Sequence, residues 1–68
     1  MEIPQIYGTI LEMKKKANFI YILCEKDLIY SLLMYNLQTD DVEPIIRVSD
    51  LKYLEFKLKE RLEMNGYE

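Results

Sequence analysis

The side chains able to do chemistry are few in this chain, and they stand apart from one another. There is no histidine and one cysteine, Cys24. Histidine is the side chain best suited to proton transfer near neutral pH, so general acid–base catalysis loses its usual agent. Cys24 lies in the apolar run FIYILC, where a thiol has a raised pKa and packs as a small hydrophobe. Ser31 and Ser49 sit in no nucleophile motif, and Ser49 has the position of a helix cap. Gly8 and Gly66 are isolated, whereas phosphate-cradling loops need several glycines in sequence. These absences lead to the expectation of a protein that is not an enzyme and has no catalytic residue or cofactor.

Charged groups give two clusters to weigh. Asp40, Asp41 and Glu43 could hold a hard cation, but their spacing matches no EF-hand loop. They read as a solvated acidic loop. With no histidine and a single cysteine, a zinc site of nitrogen and sulfur ligands is excluded, and no metal is expected. Lys14, Lys15 and Lys16 form a basic cluster that could touch phosphates together with Lys57, Lys59 and Arg61. The net charge of −3 has the wrong sign for a general nucleic-acid binder, so nucleic acid is only a second alternative.

The elements that must carry these groups follow from the apolar pattern. Ile3 to Lys14 mixes helical spacing with β-favouring residues and reads as a strand. Lys14 to Asn18 reads as a polar break, and Phe19 to Cys24 as a buried central strand, apolar on both faces. Glu25, Lys26 and Asp27 read as a tight turn before a further strand over 28–36, with a helix from Asp27 as the competing reading. Residues 38–44 form a loop, and Pro44 opens a short strand, Ile45 to Val48, at a sheet edge. Ser49 is then expected to cap a helix over 51–64 that stops at Asn65-Gly66. The alternating YLEFKLKE inside it is a strand pattern, but the lack of Val, Ile and Thr favours the helix. The fold class expected is α+β: one domain over 1–68, a small antiparallel sheet of three or four strands covered by a C-terminal helix. A mostly helical chain with one hairpin is the alternative.

Half of the 68 residues are apolar. A domain this short buries only about 60% of the surface its unfolded chain exposes, and small cores usually need disulfides, a metal or a partner subunit. With cross-links and zinc excluded, association remains, most simply as a two-fold homodimer. A membrane span over 17–37 is rejected because Glu25, Lys26 and Asp27 fall at its centre. The lone cysteine and the want of a secretory leader favour a cytoplasmic protein.

At 100° per residue Leu51, Leu54, Leu58 and Leu62 line one helix face, leaving Tyr53, Phe56 and Met64 on the opposite side. With Tyr30 and Tyr35 these are the residues expected to bind a partner, since aromatics and Met are enriched at interfaces. The function expected is a non-catalytic interaction module, an inhibitor or adaptor binding another protein. Small proteins of this kind include virus- and plasmid-encoded antagonists, an association rather than a physical argument. The first alternative is a dimer that sequesters or senses a nucleotide-like ligand, stacked on Tyr7, Tyr21, Tyr30, Tyr35, Tyr53 and Tyr67.

Overall fold

A computed structural model describes Ile3 and residues 5–63. A single 3-10 turn, Gln5–Tyr7, leads into four strands and a helix: β1 (Thr9–Lys16), β2 (Phe19–Lys26), β3 (Ile29–Asn36), β4 (Asp41–Val48) and α1 (Leu51–Glu63). The strands form an antiparallel meander in the order β1-β2-β3-β4, with the helix packed on one face. The α+β fold expected from the apolar pattern is the one observed.

The central pair explains the apolar excess of 19–36. β2 and β3 run in unbroken register from Phe19 opposite Asn36 to Lys26 opposite Ile29. Side chains alternate across a sheet, so the same two strands feed two clusters. Tyr21, Leu23 and Leu32 meet Leu54 and Leu58 of the helix. Ile22, Cys24, Leu33 and Tyr35 form the cluster of the opposite face, packed against by Ile3, Tyr7, Ile20 and Val42. Helix and N-terminal segment are thus two covers on one sheet. A helix of 13 residues is marginal by itself in water, so α1 owes its stability to the Leu51, Leu54, Leu58 and Leu62 stripe lying on that sheet.

Several boundaries differ from the expectation. Residues 5–7 are a 3-10 turn rather than strand, and Gly8, at φ +82°, swings the chain from it into β1. Lys14, Lys15 and Lys16 are not a break but the end of β1, opposite Tyr21, Ile20 and Phe19. Cross-strand neighbours outweigh the polar composition there. The following turn is only Ala17 and Asn18. β4 begins at Asp41, so Pro44 lies inside the strand and not at its start. It is tolerated because β4 is an edge and the register shifts beside it. Asp50, not Ser49, caps the helix: its carboxylate accepts from Lys52 N–H at 3.0 Å and Tyr53 N–H at 3.3 Å. The expected stop at Asn65-Gly66 lies outside the described residues.

The β2–β3 turn is Asp27 and Leu28, one residue later than expected, with φ of +53° and +67°. Positive φ at both central residues is the mark of a type I′ turn, which favours Asn-Gly or Asp-Gly. A leucine pays about 1–2 kcal/mol for that conformation. Leu28 is also 73% exposed, and its N–H donates to the Glu25 carboxylate at 2.9 Å. Leu28→Gly restores Asp-Gly and keeps that N–H. It is expected to raise stability by about 0.5–1 kcal/mol after glycine's entropic cost, or roughly 4 °C in a thermal melt. An unchanged or lower melting temperature would mean that the leucine side chain stabilises the turn.

Candidate functional site

One end of the sheet gathers the loops and the last turn of the helix. Leu37 N–H donates to the Asn18 carbonyl at 2.8 Å, tying the first turn to the third. The Asn36 side-chain oxygen accepts from Gln38 and Thr39 N–H, and the Tyr35 hydroxyl donates to the Asp40 carboxylate. That bond, with burial second, holds the Tyr35 pKa above its ordinary value. Lys16 Nζ donates to the Arg61 carbonyl at 3.3 Å. A cation is favoured at the C-terminal end of a helix, so one lysine of the basic cluster serves the fold.

The five residues expected to bind a partner fall in different places. Tyr53 and Phe56 are exposed on the outer helix face, at 42% and 59%. They stand three residues apart, neighbours on a helix surface. Lys57 Nζ lies 5.6 Å from the Tyr53 ring centroid and bridges Glu60 at 3.3 Å. That carboxylate, first by hydrogen bond and then by charge, raises the Lys57 pKa. Phe56, Lys59, Glu60 and Glu63 line a shallow concavity of about 370 Å³. Tyr30 packs half-buried against the helix-side cluster, and Tyr35 is buried in the opposite one. Met64 lies outside the described residues.

The other tyrosines are no more gathered. Tyr21 is fully buried beneath the helix, Tyr7 packs on the opposite face, and Tyr67 lies outside the described residues. No single stacking platform is formed by those described. The Asp41 and Glu43 side chains line a second depression of about 210 Å³ with Met34, Asn36 and Thr39. Among the described residues no group of three or more His, Cys, Asp or Glu is placed to hold a metal ion. Cys24 is buried, and burial pushes its thiol pKa up. No helix among the described residues is long and apolar enough to cross a membrane.

One exposed surface escaped the sequence reading. β1 is exposed at seven of its eight positions, and Ile10, Leu11 and Met13 are 41%, 49% and 44% exposed. The signal was present: the first strand of a meander is an edge, whatever its composition. No protein-family model matches the chain, and no curated protein or solved structure does either.

Proposed function

We propose that this chain is a non-catalytic protein-interaction module, working as a homodimer, that binds and modulates another macromolecule as an inhibitor or adaptor. The observation that carries the reading is the exposed Tyr53–Phe56 pair on the outer face of α1. These rings are not needed by the protomer, since the sheet's two clusters are filled by other side chains. Large aromatics ringed by polar groups are the usual anchors of a binding surface. Lys57, Lys59, Glu60 and Glu63 supply such a rim. The Lys57 cation above the Tyr53 ring and its bridge to Glu60 hold the patch partly ordered before binding, which lowers the entropic cost of association.

The test is affinity capture from the native host with wild type and with Tyr53→Ala/Phe56→Ala. Both side chains are exposed, so the variant should fold and associate as wild type does. It should lose the captured partner by roughly 30-fold or more in affinity, the loss of about 2 kcal/mol that a binding anchor carries. If wild type enriches no macromolecule, or the variant holds the same partner equally well, the reading fails.

A further inference from the structure

We infer that two copies pair edge to edge through β1, antiparallel about a two-fold axis at Met13. The product is a continuous eight-stranded sheet with both helices on one face. This deepens the reading above and rests on its homodimer. An edge strand carries unpaired N–H and C=O groups and is a template for another strand. The sheet has two edges, and they are treated differently.

The β4 edge is blunted. Pro44 offers no N–H to a neighbour, and the register shifts between Leu32 and Leu33. β1 is guarded over residues 12–16 by charge alone, that of Glu12, Lys14, Lys15 and Lys16. It has no proline or glycine, and its one irregularity lies between Ile10 and Glu12. Its lysines occupy a single end, while Ile10, Leu11 and Met13 are exposed at the other.

Charge selects the register. A two-fold axis normal to the sheet keeps each residue on its own face, so the axis must pass through a residue. At Glu12 it sets carboxylate against carboxylate, and at Lys14 ammonium against ammonium. Like charges directly opposite destabilise a pair of strands. At Leu11 it falls on the irregularity and carries Lys14 opposite Gly8, beyond the strand.

At Met13 the charges are complementary. Glu12 lies opposite Lys14 of the second copy, and Lys14 opposite its Glu12. Both residues share the helix-side face, being paired with Leu23 and Tyr21. Met13, opposite Ile22, meets its own copy on the other face and extends the cluster there. Leu11 comes beside Lys15, whose methylene stem lies along apolar surface while its charge stays in water. The two Lys15 residues are four positions apart along the ladder, about 13 Å, beyond the screening length of about 8 Å at physiological salt.

Sedimentation of wild type combined with cysteine cross-linking tests this. Cα atoms more than about 7 Å apart are not bridged by a disulfide. Mild oxidation should therefore convert Met13→Cys to a covalent dimer and leave Lys15→Cys uncross-linked. Wild type, whose Cys24 is buried, sets the background. A dimeric mass with Lys15→Cys cross-linked, or with Met13→Cys not cross-linked, would overturn the β1 pairing and leave the homodimer standing. A single-copy mass would overturn both, and the Tyr53–Phe56 capture result would be unaffected.

Discussion

Leu54→Ala should remove most or all of the stability of this fold. Leu54 is fully buried at the centre of the helix stripe, packed with Tyr21, Leu23, Leu32 and Leu58. Truncating a buried leucine costs about 2–5 kcal/mol, through lost transfer energy and the cavity left behind. A core of this size rarely supplies more than about 3–5 kcal/mol in all, so the loss equals the reserve. Urea unfolding followed by far-ultraviolet circular dichroism should show the variant with little or no folded baseline. Glu55→Ala, one position on and exposed, should stay within about 0.5 kcal/mol of wild type. A Leu54→Ala protein that unfolds at the wild-type urea concentration would mean the helix does not hold the sheet's inner face.

Gly8→Ala should damage the opposite face. A Cβ at position 8 would meet the Glu25 carbonyl oxygen and lie 2.6 Å from Lys26 Cβ. The first of these is backbone and has no rotamer to yield. The left-handed φ of +82° adds about 1–2 kcal/mol for any residue with a side chain, and forced overpacking about 1–3 kcal/mol more. The segment bearing Ile3 and Tyr7 then has to leave the Ile22, Cys24, Leu33 and Tyr35 cluster that it packs against. Cys24 gives the readout. Its thiol, buried in wild type, should react with a disulfide reagent at least tenfold faster in the variant, under conditions where the helix signal is still native. Equal reactivity would show that the N-terminal segment is not what shields this face.

These two positions differ in how readable they were from the amino acids alone. The leucine stripe of α1 was legible because its spacing is helical over three turns. The chain's lack of β-branched residues there settled the conflict with the alternating YLEFKLKE. Phe19–Cys24 was legible as a central strand because both its faces are apolar. Gly8 was visible only as a residue that disfavours helix; its close approach to Glu25 and Lys26 depends on a contact 17 residues away in the chain.

The errors have local causes. Three successive lysines look like a solvated turn, yet Lys14–Lys16 are held in β1 by pairing with Tyr21, Ile20 and Phe19. Asp27-Leu28 escaped notice as a turn because a leucine with positive φ breaks the rule on which such turns are recognised. Ser49 and Asp50 are both good caps, and only the N–H directions of Lys52 and Tyr53 choose between them. For the candidate surface, Tyr53 and Phe56 followed from helical geometry. Tyr30 and Tyr35 could not be placed, because on a sheet covered on both faces no position of a central strand is outward.

The proposed homodimer is tested most directly by a dilution series of wild type. Sedimentation equilibrium should give twice the mass of one chain at high concentration, with single copies appearing on dilution. The melting temperature should fall over the same range, since linkage to a partner subunit makes apparent stability depend on concentration. One-chain mass throughout, with a melting temperature indifferent to dilution, would contradict it.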